Sequence, residues 1–213
     1  MHIIEPRTMM NEFQFGEGAD IEIPAGYSVF CDMDGTLVDT DWANYLSYRR
    51  AVVEATHGAH NVEFTSGRLN RESLKAQLPL LTATQLEVII SLKSKYFADY
   101  LSQTQVNIAL KHLIIKHCGG NGIFLVTYCR EKRAAEVLKY HGLIGCFTRL
   151  ICWEALPGGG SSNKYQCAKD LIGASPEAVL VFEDDRSGVE QAALAGVPRR
   201  NIYRVALELA KVS

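Results

Sequence analysis

The sequence predicts an α/β fold: a parallel sheet covered by helices on both faces and interrupted by an all-helical insert. Three observations carry this reading. Five short apolar runs recur along the chain, "YSVFCDM" (27–33), "GIFLVTY" (122–128), "FTRLICW" (147–153), "AVLVFED" (178–184) and "NIYRVA" (201–206). Strands buried on both sides read this way, as in a parallel sheet between two helical layers. Helical patterns separate the later runs, "REKRAAEVLKYHG", "NKYQCAKDLIG" and "RSGVEQAALAG", each stopping at a glycine, Gly142, Gly173 or Gly196. The alternation implies right-handed strand–helix–strand crossovers and a Rossmann-like core. Third, about 66 residues after Thr40 contain helical periodicity and no convincing strand.

Taken in order, residues 1–26 form an N-terminal extension. Within it "GEGADIEIPAG" alternates at Ile21 and Ile23 between turn residues, and an extra edge strand is expected there. Residues 27–40 open the α/β core. Residues 41–105 are the helical insert. Its first helix, "DWANYLSYRRAVVEATHG", places Trp42, Tyr45, Leu46, Arg49, Val52 and Val53 on one face. A second, "TATQLEVIISLKSKYFADYL", does the same with Leu86, Ile89, Ile90, Tyr96, Phe97, Tyr100 and Leu101, and opens on the capping pattern Thr82…Gln85. These aromatic stripes read as helix packing. Residues 106–213 resume the core with the helix "VNIALKHLIIKHCG".

The totals suit one medium domain with an insert: 213 residues, 47% apolar and 22% charged. A net charge of −2 gives no electrostatic footprint for nucleic acid. The longest apolar runs are far below the roughly 18 residues of a membrane helix, so no membrane partner is expected. The opening "MHIIEPRTMMNEF" lacks a signal-peptide core. Six cysteines, at 31, 118, 129, 146, 152 and 167, include no CxxC pair and sit mostly in apolar runs, which implies buried thiols, a reduced cytoplasmic setting and no zinc site. His57, His60, His112, His117 and His141 show no metal-ligand spacing.

One stretch needs a chemical explanation. "VFCDMDGTLVDT" (29–40) places Asp32, Asp34 and Asp39 directly behind a buried run. In an open parallel sheet, ligands bind beyond the carboxyl ends of the strands. Asp32 lies at that end of the first strand, Thr127 at that of the second, and Glu183, Asp184 and Asp185 at that of the fourth. Carboxylates converging on one rim repel each other and shift each other's pKa. A hard cation relieves this, and an oxygen-only donor set favours Mg²⁺, whose shell is usually completed by water and a substrate phosphate. Phosphoryl chemistry follows. One carboxylate can be a nucleophile, another two residues on can act as acid and base, and Gly35 permits the tight turn. A lysine should balance developing charge on the phosphoryl oxygens. Between residues 146 and 175 the lysines are Lys164, at a helix start facing the rim, and Lys169, deeper in the same helix. Asp39 reads as a cap for the first insert helix. The "LPGGGSSNK" stretch is not a nucleotide P-loop, because Asn163 precedes the lysine and Tyr165 follows it.

These segments resemble the haloacid dehalogenase superfamily, the Asp-nucleophile phosphotransferases, in its phosphoglycolate phosphatase and β-phosphoglucomutase-like helical-cap branch. "DMDGTLVDT" resembles the first motif, "FLVTYC" the second, "SSNKYQCAKDL" the third and "VLVFEDDRSGVEQAALAGV" the fourth, over roughly residues 27–200. The insert matches the helical cap. The resemblance implies Asp32 as nucleophile and Asp34 as general acid/base. It implies Mg²⁺ held by the Asp32 carboxylate, the Asp34 backbone carbonyl and Asp184, with Glu183 directly or through water. Thr127 and Lys164 would bind the phosphoryl group, and Arg71, in the cap loop "TSGRLNRESL", would touch substrate. Dehalogenases in the superfamily lack the second aspartate, so its presence points to phosphate esters. The expected activity is Mg²⁺-dependent hydrolysis of a small phosphorylated metabolite through an aspartyl-phosphate. The alternatives are a sugar-phosphate mutase of the same fold and a non-catalytic phospholigand-binding regulator. Asn44 stands about where the mutase branch carries a hinge histidine, which argues against the mutase. Asp185 stands where serine is common, and no Lys-Pro dipeptide precedes the third-motif helix.

Overall fold

A computed structural model describes residues 21–64, 68–120, 122–158 and 162–206. The rest of the N-terminal extension, the cap-loop residues 65–67, residues 159–161 of the glycine-rich approach to Lys164 and the last residues of the core lie outside these.

The strands are β1 (Ser28–Cys31), β2 (Val38–Asp39), β3 (Gln105–Val106), β4 (Gly122–Val126), β5 (Arg149–Ile151), β6 (Val179–Glu183) and β7 (Ile202–Arg204). The helices are α1 (Asp41–Ala55), α2 (Arg71–Gln77), α3 (Ala83–Tyr96), α4 (Ile108–His117), α5 (Glu131–Tyr140), α6 (Lys164–Ile172) and α7 (Arg186–Leu194). The five apolar runs become one five-stranded sheet in the order β5-β4-β1-β6-β7, with every neighbouring pair parallel. Successive strand residues serve opposite faces. Val29, Cys31, Ile123, Leu125, Leu180 and Phe182 pack beneath α4 and α5 with Leu110, Ile114, Val137 and Leu138. Phe30, Phe124, Val126, Val179 and Val181 pack beneath α6 and α7 with Tyr165, Ala168, Val189 and Ala192. The sheet is therefore buried on both sides, which is why its strands carry no polar alternation.

The helix stops fall at the expected glycines, with Gly142, Gly173 and Gly196 at φ 71°, 66° and 89°. Ile21 and Ile23 are buried against the core but form no strand. Pro24 and Gly26, the latter at φ 83°, turn the chain before pairing can begin.

Helices α1–α3 form a separate apolar cluster from Tyr45, Tyr48, Val52, Leu74, Leu86, Ile89 and Tyr96. The Thr82 hydroxyl and the Gln85 side chain cap each other's backbone at the start of α3, as the sequence indicated. The face of α1 matches the expected one only in part, with Tyr45 and Val52 buried and Leu46 packed against them. Ala43, Asn44, Ser47, Tyr48 and Ala51 turn inward, while Trp42, Arg49 and Val53 are exposed. Small residues let α1 and α3 approach closely, and the Trp42 ring instead packs on Tyr45 and Phe64, with centroids 5.1 Å away in each case. Three elements had no sequence signal. Helix α2 buries only Leu74 and is set by an Asn70–Ser73 capping box. Strands β2 and β3 pair antiparallel across Val38↔Val106 and Asp39↔Gln105, closing the two ends of the helical insert against each other.

Candidate active site

The loop leaving β1 is the centre of the site. The backbone N–H groups of Leu37 and Val38 donate to Met33 O at 3.0 and 2.9 Å, and Gly35 N donates to Val38 O at 3.0 Å, so residues 33–38 form a tight knot. Gly35 has φ 91°, and a Cβ there would collide with Asp184 Oδ2 and the Arg68 guanidinium. Only glycine gives the backbone this approach. The register Cys31↔Leu125 and Cys31↔Phe182 puts Asp32 beside the ends of β4 and β6.

Asp32, Glu183 and Asp184 converge, with one carboxylate oxygen from each lying within 4.8 Å of the others. Lys164, the first residue of α6, reaches between them. Its Nζ donates to Asp32 Oδ1 at 2.6 Å and lies 2.7 Å from Glu183 Oε2, and all three side chains are almost fully buried. Asn163 makes this possible by capping α6, accepting from Tyr165 N and Gln166 N. Glu183 also accepts from the Tyr165 hydroxyl at 2.7 Å and from Asp184 N and Asp185 N at 3.1 Å each. A Cβ on Gly188 would strike the Glu183 carboxylate, so that glycine provides its space.

These partners separate the acids electrostatically. Burial pushes the Asp32 carboxyl up; Lys164 opposes this and Glu183 reinforces it, leaving about 7. Burial also disfavours ionised Glu183, but Lys164, Tyr165 and the backbone N–H of Asp185 outweigh it and hold its pKa below the ordinary value. Both acids share Lys164, yet Glu183 has several further donors, so of the two it is the one more firmly held in its ionised form. Burial and Glu183 raise Asp184 to about 6 against the opposing Thr36 hydroxyl, which donates to Asp184 Oδ1 at 2.7 Å. A cluster of oxygen donors, two with raised pKa, fits a hard divalent cation, which would take the place of the protons.

Asp34 has different surroundings. Its Oδ1 accepts from the Thr40 hydroxyl and from Arg133 Nη2, each at 2.5 Å, and its backbone O accepts from Arg68 Nη2 at 2.5 Å. Burial disfavours its charge, but Arg133, Arg68 and Thr40 hold its pKa below the ordinary value. Thr127 is buried one residue past β4, where its hydroxyl accepts from Cys129 N at 3.1 Å. Arg71 begins α2 and is exposed. The cation of that loop which meets the acids is Arg68, tied also to Asp41 Oδ1 at 3.1 Å. Asp39 Oδ1 accepts from the N–H of Asp41, the first residue of α1, at 2.9 Å, although the N-cap position is Thr40 and its own side chain makes no capping bond. Asp185 caps α7 by accepting from Gly188 N at 3.2 Å. Lys169 donates to Ala195 O at 2.6 Å and serves packing between α6 and α7. Sequence reasoning missed Thr36, Thr40, Arg68 and Arg133. Thr36 and Thr40 lie within the first-motif stretch and Arg68 within the cap loop, yet none of them was given a role there, and Arg133 shows only as a charged residue flanking the apolar stripe of α5.

Comparison with known proteins agrees with this geometry. The family model for haloacid dehalogenase-like hydrolases matches residues 29–202. A phosphorylated carbohydrates phosphatase of Thermotoga maritima is 30% identical over 190 residues, covering 84% of each chain. Among solved structures, a predicted phosphoglycolate phosphatase of Haemophilus somnus superposes with a TM-score of 0.69 at 17% identity, covering 85% of each chain. A haloacid dehalogenase-superfamily hydrolase of Geobacter sulfurreducens gives 0.64 at 16% identity, over 85% of this chain and 91% of its own. With acids from two strand ends gathered around one lysine on such a sheet, this chain belongs to the haloacid dehalogenase-like hydrolases and is an enzyme of that family.

Proposed function

We propose that this enzyme is a magnesium-dependent phosphomonoesterase that hydrolyses a small phosphorylated sugar or related metabolite through a phosphorylated Asp32. The observation that carries the reading is Asp32 itself. It is buried, 2.6 Å from Lys164 Nζ, and clustered with Glu183 and Asp184. Asp32, Asp184 and the Asp34 backbone carbonyl would hold Mg²⁺, with Glu183 engaged through water because Lys164, Tyr165 and backbone N–H groups already occupy it. When bound, the ion would neutralise the clustered acids and the charge of the phosphate.

In the first step the ionised Asp32 oxygen bonds to phosphorus and the bond from phosphorus to the ester oxygen breaks. The leaving alkoxide takes a proton from Asp34, which must first gain it from the substrate monoanion or from water, because Arg133, Arg68 and Thr40 favour its ionised form in the free enzyme. In the second, water bonds to phosphorus and loses its proton to Asp34, while the bond from phosphorus to Asp32 breaks. Lys164 and Thr127 are proposed to hold the phosphoryl oxygens. In the cap loop, Arg68 is better placed than Arg71 to meet the substrate. Asn44 supports the hydrolase over the mutase, since its amide Nδ2 donates to Leu69 O at 2.5 Å and offers no titrating group at the hinge. The free thiols support a cytoplasmic setting; no helix among the described residues is long and apolar enough to cross a membrane.

The test is turnover of p-nitrophenyl phosphate and a panel of sugar phosphates with Mg²⁺. Hydrolysis by the wild type and its loss in Asp32→Asn are expected. Isomerisation without phosphate release would favour the mutase. Absence of any turnover would favour a regulator.

A further inference from the structure

Arg133 touches three parts of the molecule at once. It stands on α5, beside the buried stripe of Ala134, Val137 and Leu138. Its Nη2 donates to Asp34 Oδ1 at 2.5 Å and to Thr40 Oγ1 at 3.1 Å, while Thr40 Oγ1 donates to the same Asp34 oxygen. Its guanidinium lies 4.3 Å over the ring of Phe97, where a 3-10 turn (Phe97–Gln103) follows α3. Its Nε is buried without a hydrogen-bond partner. Leaving a guanidinium N–H unpaired in the interior is unfavourable. A residue selected only to tie α5 to the insert would do so better as an apolar side chain. What the arginine adds is a charged donor, Nη2, shared between Asp34 Oδ1 and the Thr40 hydroxyl oxygen that itself bonds the same carboxylate atom.

We propose that Arg133 is a positioning residue for Asp34, holding its carboxylate ready to take a proton from water while seated on the Phe97 turn of the helical insert. The inference rests on the function proposed above. It concerns the second step, in which the water oxygen bonds to phosphorus, the phosphorus–Asp32 bond breaks to restore that carboxylate, and the water proton passes to Asp34. Thr40 and Phe97 lie at the two ends of the insert, so the same arginine links the seating of the insert to the direction of the base.

Rapid mixing with p-nitrophenyl phosphate and Mg²⁺ tests this, because p-nitrophenolate leaves without needing a proton. In Arg133→Met a burst of p-nitrophenolate near one per active site is expected, followed by steady turnover reduced about tenfold or more, with KM falling alongside kcat and kcat/KM little changed. Arg133→Lys keeps the charge without the planar guanidinium seated on Phe97 and should recover part of the rate. Turnover of Arg133→Met within about twofold of wild type would overturn the proposal, as would joint loss of burst and turnover in a variant that circular dichroism shows to be folded. If Arg133→Met does not fold, Arg133→Lys decides, with a burst and reduced turnover expected and wild-type kinetics overturning the proposal. A wild type that releases no phosphate would instead sink the proposed function; an active wild type, an inactive Asp32→Asn and an unaffected Arg133→Met would sink the positioning role alone.

Discussion

Replacing Lys164 by Met removes the cation between two buried carboxylates. The side chains of Lys164, Asp32 and Glu183 are 5%, 8% and 2% exposed, so water does not take over the lost interactions. Removing one partner of a buried ion pair costs about 3–5 kcal/mol, because a charge is left uncompensated. Protonation limits this loss. Asp32 has a folded pKa of about 7 against an ordinary value of 3.8, and losing Lys164, which lowers it, moves it further up. A carboxyl raised by folding stabilises the protein fully below its unfolded value, and that contribution disappears as pH rises through the folded value. The Lys164→Met penalty should therefore be small near pH 5 and approach the full amount near pH 8. For a chain of this size that corresponds to a melting temperature lower by roughly 10 °C near pH 8. Thermal unfolding of both proteins in chelator at the two pH values measures it. A penalty equal at both, or no penalty near pH 8, would refute the reasoning.

Further outcomes follow from the same geometry. Gly35→Ala places a Cβ on Asp184 and Arg68 from a left-handed backbone; the conformation alone costs about 1–2 kcal/mol, and turnover should fall about 100-fold as the acids are displaced. Mg²⁺ must displace protons from Asp32, at about 7, and Asp184, at about 6. The rise in melting temperature given by millimolar Mg²⁺ should thus be larger near pH 8 than near pH 5, and calorimetry should record proton release on binding. Arg68 adds positive charge beside Asp184 and the Asp34 carbonyl. Arg68→Ala should tighten Mg²⁺ binding about two- to fivefold by titration calorimetry.

The sheet was legible because each strand is buried on both faces, so Val29–Phe30–Cys31 and Val179–Leu180–Val181 read as continuous apolar runs. Local signals were legible too: the Thr82–Gln85 capping box and the glycines ending α5, α6 and α7. Features settled by packing were not. The inward face of α1 is settled by packing, which buries Ala43, Ser47 and Ala51 beside Tyr45, Tyr48 and Val52 and leaves Trp42 and Val53 outside. Helix α2 and the β2–β3 pair are too short for periodicity to register. Within the site, Asp32, Lys164, Glu183 and Asp184 were found because strand ends share one rim and the fold then brings them together. Thr36, Arg68 and Arg133 reach the acids across 148, 34 and 99 residues of chain, distances over which a linear reading sees no partner.

The proposed mechanism turns on Asp32 as the nucleophile that bonds to phosphorus. Quenching wild-type turnover in acid, reducing the acyl-phosphate with borohydride and mapping the peptides by mass spectrometry tests it directly. Conversion of residue 32 to homoserine, dependent on substrate and Mg²⁺ and absent from Asp32→Asn, is the expected result. Conversion at another carboxylate, or none while phosphate is being released, would contradict the account.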